Sequence, residues 1–325
     1  MKLSIIIPIY NVGLYLKDCL DSIVTQEVIY ATTNNSIEVI LVNDGSIDNS
    51  QVIIDEYKNK YPFIRSFYKD NGGLSDARNY GLDKSTGDYI WFIDSDDWID
   101  YSAIKTIFSE LNQNPNLDIL EFNYLRNLQG DNHPDHYYSS IFTDLISGKE
   151  YIARYGYSIC ACDKVFSKKI IDHVNYKFPI GRYSEDNIFC LRMFLASDNV
   201  KKISNNLYYY RMREGSITTK KDESHLKKYF SDIKKNMEEM VILTNKEDGK
   251  LKKKIEEMCF FLAFNILYSA LVNGNNITLF KELCKELKTL GFYPILNYAY
   301  HNTSKRRIFR LVLNNYYIAR IFIFM

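Results

Sequence analysis

The chain is short of cysteine pairs, long apolar runs and repeats, and each shortage removes a class of protein. Its six cysteines, at positions 19, 160, 162, 190, 259 and 284, show neither the spacing of a small disulfide scaffold nor the paired Cys-x-x-Cys of a zinc site. Cys160-Ala161-Cys162 alone is a weak metal signal, so reduced thiols in a cytoplasmic protein are the expectation. The strongest apolar stretch, Cys259 to Val272, is 14 residues long and interrupted by Asn265, below the roughly 20 needed to cross a bilayer. It reads as a core helix. The N-terminal apolar run is too short for a signal peptide and passes directly into strand and turn chemistry, so it is expected to belong to the fold. No glycine-rich phosphate loop follows that run. Pro8-Ile9-Tyr10-Asn11 stands there instead, which argues against a nucleotidyltransferase. Tryptophan is scarce, with two residues against 27 Tyr and 19 Phe, flat side chains that suit both cores and binding clefts.

What is present is enough for a sizeable core: 325 residues, 46% of them hydrophobic, make one large domain or a domain with an extension. The formal net charge of +1 conceals an asymmetry, because residues 1–219 carry 22 Lys and Arg against 29 Asp and Glu, and residues 220–325 carry 19 against 11. From His301 to Met325 there is no acidic residue, only Lys305, Arg306, Arg307, Arg310 and Arg320 among Ile, Leu, Phe and Tyr. A basic amphipathic tail of this kind suits peripheral contact with an anionic membrane surface. The same tail, through Tyr316, Tyr317, Ile318, Ile321 and Phe322, could instead complete a helical subdomain or a homodimer interface. No nucleic-acid partner is expected.

Along the chain, Leu3 to Ile9 reads as a buried strand, followed by Asn11 as a helix cap and a helix with Leu16, Leu20, Ile23 and Val24 on one face. Glu38 to Val42 is a second buried strand ending in Asn43-Asp44-Gly45-Ser46, and Ser50 to Lys60 carries helical spacing. A third strand, Phe63 to Tyr68, leads through Asn71-Gly72-Gly73-Leu74 to a short helix from Ser75, and Tyr89 to Ile93 is a fourth. Strands alternating with helices imply a mostly parallel, helix-covered sheet whose ligands bind beyond the strands' carboxyl ends. Asp118 to Tyr124 reads as a further strand, Leu125 to Ser140 as an exposed loop or flap, Glu185 to Ala196 as a helix and Leu207 to Arg211 as a strand. Charged helices follow from about Thr219.

The quartet Asp94-Ser95-Asp96-Asp97, at the end of the fourth strand, is the most informative feature. Carboxylates packed this densely repel one another unless a cation sits among them, and oxygen-only ligands at a sheet edge suit Mg²⁺ or Mn²⁺ with positions left for substrate phosphates. Asp44 at its tight turn reads as an Asx-turn or as an acceptor for a base or ribose. Tyr10 could stack on a nucleobase or simply pack. Arg78, one turn into its helix, faces phosphates or a salt bridge. Glu185-Asp186, after Ser184, reads as an acidic first turn favoured by the helix dipole, or as a carboxylate pair able to take a proton from an acceptor hydroxyl. Arg211 and Arg213, near Gly215-Ser216, form a charged turn or close onto a diphosphate.

Taken in order, Ser4 to Asn11, Val42-Asn43-Asp44-Gly45-Ser46-Ile47-Asp48, Asn71 to Gly81 and Phe92-Ile93-Asp94-Ser95-Asp96-Asp97-Trp98 resemble the motifs of a family 2 glycosyltransferase, over about residues 3–216. The resemblance implies an α/β fold of the GT-A type, with a nucleotide-sugar half over about 1–100, an acceptor half over about 101–219 and a helical C-terminal extension over 220–325. It implies a UDP-sugar donor, with Pro8, Tyr10, Asn11, Asp44, Arg78, Asp94, Ser95, Arg211 and Arg213 around the nucleotide. Asp96, with Asp94, would take Mn²⁺ or Mg²⁺. Asp186 takes the catalytic-base position with Glu185 beside it, and inversion follows from one in-line displacement. The family's late segment departs here: members often have Gly before the acidic pair, where this chain has Ser184, and some carry His where Arg211 and Arg213 stand. The expectation is a metal-dependent transferase that passes a sugar to a lipid-linked or oligosaccharide acceptor in surface-polysaccharide assembly at the inner face of the cell membrane. A catalytically inactive glycan-binding scaffold is the alternative.

Overall fold

A computed structural model describes residues 1–26, 36–128, 131–134, 143–213, 223–247, 249–272, 276–296, 304–315 and 318–319. They form two compact units, Met1–Tyr151 with Tyr157–Arg213, and Ile152–Gly156 with Glu214–Met325.

The first unit is built on β1 (Leu3–Ile9), α1 (Leu16–Val24), β2 (Ile37–Asp44), α2 (Ser50–Lys60), β3 (Ile64–Lys69), α3 (Leu74–Lys84) and β4 (Tyr89–Phe92). β1, β2 and β4 are buried along their whole length, as strands covered on both faces must be, and this is why they read as near-continuous apolar runs, with the buried Ser4 hydroxyl donating to Glu38 at 2.6 Å. β3, β2, β1 and β4 pair in that order, all parallel, so their carboxyl ends share one edge. The sheet continues through β5 (Trp98–Ile99), α4 (Ala103–Gln113), β6 (Ile119–Leu128), β7 (Asp131–Pro134), α5 (Gly148–Tyr155), β8 (Lys164–Ser167), α6 (Lys168–Val174), α7 (Glu185–Ala196) and β9 (Val200–Arg211). β8 joins antiparallel between β4 and β6, β9 runs parallel to β6, and β5 closes the order antiparallel to β9.

Three sequence expectations change. Asn11 does not cap α1. Tyr15 holds the cap position without a side-chain bond, and Asn11 has φ 50° and accepts a hydrogen bond from the Ile47 N–H through Oδ1 at 2.9 Å. It ties the turn after β1 to the turn after β2. The segment from Leu125 is not all loop, because β6 runs on to Leu128 and pairs antiparallel with β7; residues 129–130 and 135–140 of that stretch lie outside the described residues. Its polar residues carry no apolar period, and pairing with β9 and β7 makes the strand instead. β9 likewise begins at Val200, well before Leu207.

The described helices of the second unit are α8 (Glu223–Thr244), α9 (Gly249–Val272), α10 (Ile277–Thr289) and α11 (Ser304–Leu313). α9 is 24 residues long, with the apolar stretch as its C-terminal part, and is long and apolar enough to cross a membrane, but it is mostly buried. It packs against α8, α10 and α11, as a core helix does. Leu313 and Ala319 are buried, and the Asn314 side chain bonds to both the N–H and the carbonyl of Ile295.

Candidate active site

The end of β4 places the aspartate quartet against α3. There Arg78 has a side chain only 2% exposed, its guanidinium over the Phe178 ring. Nη2 donates to Asp94 Oδ1 at 2.7 Å, Nη1 donates to Glu185 Oε1 at 2.7 Å, and Nη1 also pairs with Asp186 Oδ1. One buried cation thus gathers carboxylates from the end of β4 and the start of α7. Burial and the neighbouring Asp186 push Glu185 up to about 8, against the opposing pull of Arg78, so Glu185 keeps its proton at neutral pH. Burial also raises Asp186, while Arg78 opposes the rise and Asp94 adds to it. Asp186 Oδ2 accepts a further hydrogen bond from the Ala161 N–H at 3.0 Å.

Arg78 reaches this position because the loop before α3 is anchored. Asp44 accepts hydrogen bonds from the N–H groups of Gly72 at 2.9 Å and Gly73 at 2.8 Å, and from Lys69 Nζ at 2.5 Å. Gly73 has φ 88°, a conformation glycine adopts without strain. Asp44 therefore spends its carboxylate on holding α3 and is 2% exposed. Tyr10, 50% exposed, stands one residue beyond Ile9, the last residue of β1, and Pro8 lies within that strand.

Beside the Arg78 cluster a second group forms around Asp96. Burial and Asp94 raise its carboxyl, and Arg213 opposes them by donating from Nε to Oδ2 at 2.7 Å. Arg211 donates from Nε to the Asp96 carbonyl and from its backbone N–H to Asp97 Oδ1, with its guanidinium 4.6 Å from the Trp98 ring centroid. Ser95 and Asp97 are buried. Asp97, raised by burial and then by Asp96 and Asp94, accepts a 2.5 Å hydrogen bond from the Tyr208 hydroxyl. Tyr208 Oη in turn accepts from the Asp94 N–H.

Arg78, Asp94, Glu185 and Asp186 are therefore one constellation, with Asp96, Arg211 and Arg213 adjoining it through the quartet. Asp44 and Asn11 brace the loops around it. The sequence reading missed Lys69, Tyr208 and the Ala161 N–H. Tyr208 lies in the strand read at Leu207 to Arg211, but three tyrosines in a row carry no mark of the one that turns to the aspartates, and a backbone N–H carries none either. Among the described residues no three His, Cys, Asp or Glu side chains converge on a metal position. Asp94 and Asp96 do supply two hard oxygen donors, which matches the way Mg²⁺-type ions sit on one or two carboxylates and complete their shell with substrate phosphates and water.

The model of Glycosyl transferase family 2 matches residues 4–171. Glycosyltransferase GlyA of Streptococcus pneumoniae is 34% identical over 67% of this chain and 31% of its own length. Glycosyltransferase GlyG of the same organism is 30% identical over 66% of this chain and 72% of its own length. The chain thus spans less than a third of GlyA and most of GlyG. Among solved structures, S. aureus TarS 1-349 in complex with UDP-GlcNAc superposes with a TM-score of 0.68 at 19% identity, covering 99% of this chain and 88% of that one.

Proposed function

This chain belongs to glycosyl transferase family 2 and has its GT-A fold, and from that premise we propose that it is a metal-dependent inverting transferase moving a sugar from a UDP-sugar to a glycan hydroxyl. The observation that carries the reading is Arg78, which joins the carboxylate on the nucleotide side, Asp94, to the pair on the acceptor side, Glu185 and Asp186. TarS, which shares the fold and holds UDP-GlcNAc, supports a UDP-linked donor.

Asp96 and Asp94 would hold Mn²⁺ or Mg²⁺, which when bound supplies positive charge against the departing diphosphate. Tyr10, half exposed beyond β1, offers its ring to the nucleobase. Arg211 and Arg213 stand beside Asp96 and can turn their guanidiniums to the phosphates once the nucleotide arrives. Asp186 takes the proton from the acceptor hydroxyl as that oxygen attacks the anomeric carbon. Asp186 is the member of the pair held at both oxygens, Oδ1 by Arg78 and Oδ2 by the Ala161 N–H.

The experiment is a donor screen with purified protein, Mn²⁺ and a panel of UDP-sugars, read as UDP released. Activity is expected with at least one donor, to vanish in excess EDTA, and to fall to a few per cent or less in Asp96→Ala with the fold intact, a loss of about 10²-fold. Full turnover in EDTA would overturn the metal assignment. UDP release from no donor would favour the inactive scaffold.

The acceptor belongs to the same proposal: a lipid-linked or oligosaccharide precursor of a surface polysaccharide, met at the cytoplasmic face of a membrane. The acid-free composition of 301–325 supports this location, although Leu313 and Asn314 are engaged with the protein itself. Much of that tail lies outside the described residues. Co-sedimentation with anionic but not neutral vesicles is expected, weakened by salt and by neutralising Arg306, Arg307 and Arg310, each contributing about 1 kcal/mol at such a surface. Binding that ignores both salt and lipid charge would assign the tail to packing or to a homodimer.

A further inference from the structure

Behind the candidate base lies a group of charges that no substrate can touch. Lys164 and Glu121 are fully buried, and Asp163 and Lys202 are each 1% exposed. Lys164 Nζ pairs with Asp163 and lies 3.5 Å from Glu121, while Lys202 Nζ pairs with Glu121 at 3.0 Å and donates to the Phe122 carbonyl. Tyr151 adds a hydrogen bond to Glu121. Two cations and two anions balance, so the network exports no net charge. Buried ion pairs of this kind are poor stabilisers compared with apolar side chains of the same volume, which leaves its presence unexplained by stability.

One of its contacts reaches the active site through a single peptide unit. Lys164 Nζ donates to the Cys160 carbonyl at 2.8 Å, and Cys190 Sγ approaches the same oxygen at 3.5 Å. The N–H on the other side of that planar peptide is the Ala161 N–H, which donates to Asp186 Oδ2 at 3.0 Å. A rigid peptide held at its carbonyl fixes the direction of its N–H. An ammonium on the carbonyl also polarises the amide and strengthens its N–H as a donor.

We propose that Lys164 is a positioning residue for the transfer reaction: through the Cys160–Ala161 peptide it holds the carboxylate of Asp186 in the orientation that receives the acceptor proton. This rests on Asp186 being the base. Arg78 grips Oδ1 and the peptide grips Oδ2, so the carboxylate is held at both oxygens and its rotation is stopped. Lys202 serves as the internal comparison. It is as deeply buried and shares Glu121, but the carbonyl to which it donates is that of Phe122.

The test uses charge-balanced pairs in the full chain, so that no lone buried charge is left to unfold it. Lys164→Met with Asp163→Asn is expected to keep its melting temperature within a few degrees and its donor KM within about twofold, while kcat for UDP release falls about 10–100-fold, the scale of a small misplacement of a reacting group. Lys202→Met with Glu121→Gln is expected to keep kcat. Lys164→Gln with Asp163→Asn retains a neutral donor and is expected to recover most of the loss. Equal kcat in the Met and Gln pairs, equal losses in the Lys164 and Lys202 pairs, or wild-type kcat in the Lys164→Met pair would each overturn the inference. Asp186→Asn, measured alongside, separates the two readings: if it retains kcat, the base assignment fails; if it is inactive while the Lys164→Met pair is not, only the positioning role fails.

Discussion

Asp186→Asn is expected to lower kcat by about 10²–10⁴-fold while leaving UDP affinity within about twofold. The amide has the size of the carboxylate, but with its oxygen on the Ala161 N–H it turns an NH2 to Arg78 Nη1, so that one contact is lost while Arg78 keeps its bonds to Asp94 and Glu185. What it loses is the capacity to take a proton. Glu185 is a weak substitute at neutral pH, since burial beside Asp186 lifts it to about 8 and its proton stays on. Single-turnover UDP release and calorimetric UDP binding check the two halves separately. If affinity collapses and kcat does not, Asp186 is a binding or capping residue, and Glu185 inherits the chemistry.

Arg78→Met is expected to destabilise the protein by about 3–5 kcal/mol, the cost of removing one partner from a buried charge group. Asp94, Glu185 and Asp186 all face this guanidinium, and without it three carboxyl groups crowd a site with no compensating cation. The pH dependence has a definite sign. A carboxyl whose folded pKa is raised binds more protons native than unfolded, so its burial is tolerated at low pH and costs stability as pH rises through the folded value. Glu185, already near 8 with Arg78 present, moves further up without it. The gap between variant and wild type should therefore be smaller at pH 6 than at pH 9, as read from thermal unfolding at both. A gap that is equal at the two values, or wider at pH 6, would show that Arg78 is not compensating these carboxyls.

The two predictions share a residue whose importance was only half legible. One turn into α3, a lone arginine near an expected diphosphate reads as a phosphate ligand or as half of a salt bridge. Its partners Glu185 and Asp186 lie 107 and 108 positions away, and no local pattern encodes that approach. The same holds for Asp44. Its turn was visible, but the loop it holds comes from 28 and 29 residues further on. The acidic start of α7 was ambiguous for a physical reason, because a carboxylate favoured by the helix dipole and one gripped by a buried arginine look identical in sequence.

By itself the sequence determined the parallel part of the sheet. Parallel strands covered on both faces must be near-continuous apolar runs, and their ends must carry turn residues, so Leu3 to Ile9, Glu38 to Val42 and Tyr89 to Ile93 announce both the sheet and the edge to which Asp44, Asp94 and Asp96 belong. Tertiary structure alone decided the rest: that β6 and β7 are strands, that Asn11 braces a turn instead of capping a helix, and that α7 brings its carboxylates to Arg78. These features draw their stability from pairing and from buried charge contacts between distant segments, and such contacts leave no periodic trace in the chain that makes them.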